Sequence, residues 1–116
     1  MVGFQQPWGT GYGDDGPCGG LPAYDAALQA MSGMMSINGE TGGRSLRVGV
    51  PVCDLVTGLN AVIGILLALQ ERARSGKGQQ VDVSLLDSGL AMLHPHSANF
   101  LATGKLPGLT GNAHPN

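Results

Sequence analysis

Residues 46–76 read LRVGVPVCDLVTGLNAVIGILLALQERARSG, and the fold turns on them. Residues 46–52 alternate Leu46, Val48, Val50 and Val52 with Arg47, Gly49 and Pro51, an extended pattern. Pro51 has no N–H to give a ladder, so it keeps this segment out of a sheet interior. Residues 55–74 are apolar on nearly every face, which predicts a central, buried helix. Arg72 and Arg74 fall in its last turn, where cations suit the helix dipole, and Gly76 suits the C′ position. The uncharged run from Leu55 to Leu69 is interrupted by Thr57, Gly58, Asn60 and Gly64. A membrane span needs about 20 apolar residues. The run therefore reads as the buried helix of a soluble protein, and no membrane partner is expected.

Working outward, residues 24–35 carry a short helix pattern in Ala26, Ala27, Leu28, Ala30 and Met31. NGETGG at 38–43 is a turn, because Asn-Gly favours positive φ. VDVSL at 81–85 predicts a short strand. A second long helix is expected from Ser84 or Leu85 to about Thr103, bent at Pro95. Helix, strand, helix, strand, helix is an α/β order: a central buried helix with short strands and flanking helices. Residues 1–20 form a glycine-rich entrance with Pro7 and Pro17, and the chain stops on Asn116 just after Pro115. Such an entrance is unusual in a compact domain. So apolar a helix also wants more cover than 116 residues supply, so residues 1–116 are expected to be an internal piece of a larger protein.

Composition narrows the function. Six Lys+Arg stand against eight Asp+Glu, a net charge of −2, so no basic patch is available for nucleic acid. The 20 glycines far exceed the usual ~7% and follow no collagen period, so they imply turns and close backbone approaches. Cys18 and Cys53 are too few for a disulfide scaffold, and a cytoplasmic, reducing setting is expected. Met1 is followed by VGFQQPWG, with neither the basic nor the apolar region of a signal peptide.

Several residues are chemical candidates. Gly11, Gly13 and Gly16 spell G-x-G-x-x-G. No apolar strand precedes them, PCGGLP follows, and Asp14 and Asp15 sit where a pyrophosphate would, so a dinucleotide site is not expected. Asp54 precedes the long helix as an N-cap. Free amides and the helix dipole there would lower its pKa and hold it ionised, which a carboxylate nucleophile needs. His94 and His96 flank Pro95 and do not share a helix face, and His114 stands apart. No metal site is expected. Cys53 reads as packing, Asp87 as a first-turn acid suited to the dipole, and Tyr24 and Asp25 as a packing and capping pair. Trp8 has no assigned role.

Taken together these blocks resemble the class III CoA-transferase family. They are G-x-G-x-x-G-P at 11–17, P-x-Y-D at 22–25, V-P-x-x-D-x-x-T-G at 50–58, E-R-x-R-x-G-x-G-Q at 71–79, V-D-V-S-L-L-D at 81–87 and NFLATGKLPGLTGNAHPN at 99–116. The family includes formyl-CoA and carnitine-type CoA-transferases and is related to the 2-methylacyl-CoA racemases. Residues 11–116 are family-like. Residues 1–10 depart from it, where the family would have an apolar strand.

The resemblance implies an internal piece of the family's large domain, in a protein that moves CoA from an acyl-CoA to a carboxylic acid. The family's catalytic aspartate falls on Asp54, and its CoA- and substrate-contacting stretch on Leu21, Pro22, Ala23 and Tyr24, with Asp25 as support. CoA would be a substrate, with no cofactor permanently bound. An interlocked homodimer is implied for the whole protein, and no activity for the isolated piece. The racemases carry a His at the position of Tyr24. A phenol with pKa near 10 is a poor base for an α-proton, which favours transfer over the alternative of racemisation. A non-catalytic remnant is the further alternative.

Overall fold

The computed structural model describes residues 11–113. The readings that involve residues 1–10, Trp8 and His114 lie outside them. Among the described residues the elements are helices: α1 Asp25–Met31, α2 Met34–Ile37, α3 Val52–Ser75, α4 Leu85–Ala91 and α5 His96–Thr103.

The expected first helix is two. Gly33 stands at φ 89, a left-handed conformation that costs glycine nothing, and it ends one helix and starts the next. Only one stripe of α1 faces inward: Asp25, Leu28, Gln29 and Ser32 are buried, at i, i+3, i+4 and i+7. Leu28 joins Met34 and Cys53 in the core, with Tyr12, Ala23, Val48, Val52, Leu85, Leu86, Met92 and Leu93 packed around them.

The expected strands at 46–52 and 81–85 do not form among the described residues. A strand needs a ladder partner, and the polar groups of 46–52 are met otherwise. Leu46 N–H donates to Asn38 O at 2.8 Å, and Val48 N–H to Gln29 Oε1 at 2.7 Å. Asn38 Nδ2 donates to Leu46 O at 2.9 Å. Val52 N–H turns back onto Val50 O at 2.9 Å. The α/β expectation is corrected to a helical assembly with extended connections.

Helix α3 begins three residues before the expected 55. Pro51 O accepts Leu55 N–H at 3.0 Å, so Pro51 is the N-cap and Asp54 lies inside the first turn. At the other end Gly76 takes φ 74 and its N–H donates to Arg72 O at 2.8 Å, closing the helix as its sequence implies. Asp54 therefore does not cap the helix as expected.

The expectation of a buried α3 also needs correction. Its inward stripe is made of small residues: Cys53, Ala61 and Ala68 are buried. Gly64 lies on the same stripe, so close to Val81 that an added Cβ would come within 2.5 Å of Val81 Cγ1. Asn60 Nδ2 donates to Ser88 Oγ on α4 at 3.1 Å. The large side chains point away. Leu55, Leu59, Val62, Ile63, Leu66 and Leu67 are each more than half exposed. By length and composition alone α3 could also cross a membrane. The Cα radius of gyration, 16.7 Å, exceeds the about 13 Å of a compact chain of ~100 residues, in keeping with a helix covered on one side.

Ser84 caps α4. Its Oγ accepts Asp87 N–H at 3.0 Å and donates to Asp87 Oδ2 at 2.7 Å, a reciprocal cap that fixes Asp87 in the first turn. The expected single helix to Thr103 is interrupted at 92–95, and α5 starts after Pro95.

Candidate active site

The site is built where α1 meets the start of α3. Asp25 opens α1 and is buried at 7% exposure, which a carboxylate tolerates only when its oxygens are met. Its Oδ1 accepts Cys53 N–H at 2.7 Å and its Oδ2 accepts Gln29 Nε2 at 2.6 Å. Cys53 is the second residue of α3, and its amide is among those a helix leaves unpaired. No side-chain hydrogen bond from Pro51 caps this end. A carboxylate from α1, 28 positions earlier in the chain, meets it instead.

Tyr24 and Asp54 each lie next in sequence to a partner of this Asp25–Cys53 bond, and both are exposed. Tyr24 is 81% exposed. The fold thus brings the P-x-Y-D block to the V-P-x-x-D block. Leu21 and Pro22 are exposed and Ala23 half-buried in the extended stretch that enters α1. Gly11 N–H donates to Leu21 O at 3.2 Å, and Gly11 is too close to Ala23 for any side chain. Leu86 N–H donates to Gly11 O at 2.9 Å, which ties the root of the loop to α4. Beyond that root the loop folds on itself through Gly20 N–H to Gly13 O at 3.0 Å, with Asp14 and Asp15 exposed. No helix starts on it, so the G-x-G-x-x-G run lacks the helix N-terminus a dinucleotide site uses.

The electrostatics differ from the sequence expectation. Asp54 is raised above its ordinary 3.8, first by partial burial and then by the negative charge of Asp25. The helix start was expected to lower it. The Cys53 amide that would have favoured a negative Asp54 is already given to Asp25. Cys53 itself is fully buried, and its thiol is pushed up to about 11 by burial, then by Asp25 and Asp54. It is a packed, protonated thiol, not a nucleophile. Among the described residues no three His, Cys, Asp or Glu side chains gather as metal ligands would.

Gln29 escaped the sequence reading. Its side chain is wholly buried and bonds Asp25, Val48 and Val50. A signal was present: the inward stripe of α1 is polar at Asp25, Gln29 and Ser32, while Ala26, Ala27, Ala30 and Met31 face outward. That inverts the usual amphipathic order.

Residues 9–116 match the family described as CoA-transferase family III. The chain belongs to this family. Among named CoA-transferases, the chain is 45% identical over 107 residues to the succinate–glutarate CoA-transferase of Agrobacterium fabrum, covering 92% of this chain and 27% of that one. It is 44% identical to the acetyl-CoA:oxalate CoA-transferase of Acetobacter aceti, covering 91% of this chain and 28% of that one. Among solved structures, a CAIB/BAIF family protein from Brucella suis superposes with a TM-score of 0.86 at 44% identity, over 92% of this chain and 28% of that one. A hypothetical protein, Rv3272, from Mycobacterium tuberculosis gives 0.73 at 26% identity, over 84% and 28%. This CoA-transferase family III chain therefore spans about a quarter of the length of its curated relatives.

Proposed function

We propose that this chain is part of the large domain of a CoA-transferase that moves CoA from an acyl-CoA thioester to a carboxylic acid, with Asp54 as nucleophile. One observation carries the reading. Asp54 is an exposed carboxylate in the first turn of α3, beside an amide locked by buried Asp25, within a segment 45% identical to a named CoA-transferase. A carboxylate made more basic than usual is a better nucleophile so long as it is ionised at the working pH.

In this mechanism an Asp54 oxygen attacks the thioester carbonyl. The carbon–sulfur bond breaks, CoA leaves as thiolate and an aspartyl mixed anhydride remains. The thiolate attacks the Asp54 carbonyl of that anhydride, releasing the donor acid as carboxylate and leaving an aspartyl-CoA thioester. The acceptor carboxylate then displaces CoA thiolate from it, forming a new mixed anhydride. Thiolate attack on the acceptor carbonyl yields the new acyl-CoA and frees Asp54. Each exchange is split into covalent steps of lower barrier.

Leu21, Pro22, Ala23 and Tyr24 are proposed to contact CoA or substrate, which their exposure beside the Asp25–Cys53 junction supports. CoA is then a substrate and not a resident group. The exposed face of α3 is proposed to be core, covered in the complete protein, instead of a membrane span. The TM-score of 0.86 to a solved chain more than three times as long supports this. The reading carries with it a cytoplasmic protein and an interlocked homodimer, with no part for nucleic acid.

In the complete protein carrying this chain, Asp54→Asn is expected to abolish CoA exchange between an acyl-CoA and a free carboxylate. Retained turnover would remove Asp54 from the mechanism. Deuterium entering the α-carbon of an acyl-CoA with no acceptor acid present would replace transfer by racemisation.

A further inference from the structure

We infer that Gln29 is a positioning residue for Asp54, acting through the backbone that leads into α3; the inference rests on the proposed role of Asp54. Gln29 is wholly buried, and each part of its amide is used. Oε1 accepts Val48 N–H at 2.7 Å. Nε2 donates to Asp25 Oδ2 at 2.6 Å, with Val48 O at 3.2 Å and Val50 O at 3.4 Å also within reach.

The chemistry of these partners fixes which way the amide lies. Only an oxygen can meet the Val48 N–H, and only an NH2 can meet a carboxylate and a carbonyl. The segment 46–51 has no strand partner among the described residues, and no side chain of Pro51 caps α3. Gln29 takes the place of the missing ladder. It holds both polar groups of Val48 while steadying Asp25, whose other oxygen holds Cys53 N–H. The path into α3 is thus clamped at 48, 50 and 53, and Asp54 is the next residue. A displacement of about 1 Å at a reacting group can cost ~10²-fold in rate.

Glutamine is also required over glutamate. A carboxylate at 29 would stand within hydrogen-bond distance of Asp25 Oδ2, and one of the two would have to take up a proton. The other groups around it are Cys53 and Asp54 on α3, Tyr12 packed on the core from the glycine loop, and exposed Arg47 preceding Val48. From helix α4, uncharged Gly89 lies beside Ser32 and Cys53.

The test compares Gln29→Leu and Gln29→Glu with wild type and Asp54→Asn in the complete protein. For Gln29→Leu, kcat is expected to fall ~10²-fold with KM for acyl-CoA nearly unchanged, since the displaced group acts in the chemical step. For Gln29→Glu, the rate should fall as pH rises and the introduced carboxyl, which donates to Asp25 while protonated, ionises, giving an alkaline limb that wild type lacks. An unchanged kcat in Gln29→Leu, or a loss confined to KM, would overturn the inference. If Gln29→Leu is insoluble, a Gln29→Glu profile parallel to wild type would do so. Either result together with an inactive Asp54→Asn leaves the proposed function standing, whereas an active Asp54→Asn removes that function itself.

Discussion

Asp25 Oδ1 accepts the backbone N–H of Cys53 at 2.7 Å, joining the start of α1 to the start of α3. The bond meets an amide the helix cannot pair itself, and it places a buried negative charge behind Asp54.

Removing that carboxylate should destabilise the protein. Asp25→Ala leaves Cys53 N–H and Gln29 Nε2 without their acceptor, an expected cost of about 3 kcal/mol. Asp25→Asn keeps an acceptor for one donor but turns its own NH2 on the other. It should fall between wild type and Asp25→Ala in urea unfolding.

The same replacement should be felt at Asp54. Asp25→Asn removes one of the two causes that raise the Asp54 carboxyl, so its pKa should move down toward the ordinary value. Carboxyl-carbon NMR titration reads this directly, and an unmoved Asp54 would refute the coupling.

Asp54→Asn should stabilise the fold at neutral pH and not in acid. Because the folded-state pKa is raised, the folded protein binds more protons than the unfolded chain between 3.8 and that raised value. Stability is lost as pH rises through this window, and the loss persists above it. Asparagine escapes the loss. The gain should be small and should shrink with salt, because Asp54 is exposed. Unfolding at about pH 3 and about pH 7, at low and high salt, checks the sign.

Cys53 should resist alkylation. A fully buried thiol pushed up to about 11 holds almost no thiolate at neutral pH. Cys18 is half-buried and should be the residue iodoacetamide labels in the native protein. Mass spectrometry of the labelled peptides decides between them.

The small-residue stripe of α3 should be intolerant of growth. Gly64→Ala forces Val81 to move and should cost about 1–3 kcal/mol in thermal unfolding. Leu66→Ala should behave differently in two settings. In the 116-residue chain Leu66 is 60% exposed and its truncation should change little. In the complete protein, with the face covered as proposed, it should cost about 2–5 kcal/mol.

Residue order alone determined where α3 lies, that Gly76 ends it and that Ser84 and Asp87 begin α4. It also showed the blocks that mark the family. Those features are local or are carried by composition along a few turns. What residues 46–52 would do was not legible. Alternating apolar residues imply a strand only where another strand is present, and here Gln29 and Asn38 take the backbone groups instead. Nor could the sequence say which face of α3 is inside. Every face is apolar, and the close approach of Val81 and α4 selected the small one. The direction of the Asp54 shift belongs to the tertiary structure as well. A helix start by itself favours a negative charge, but burial of the Asp54 carboxyl and, after it, the charge of Asp25, which α1 delivers to the Cys53 amide, reverse the sign.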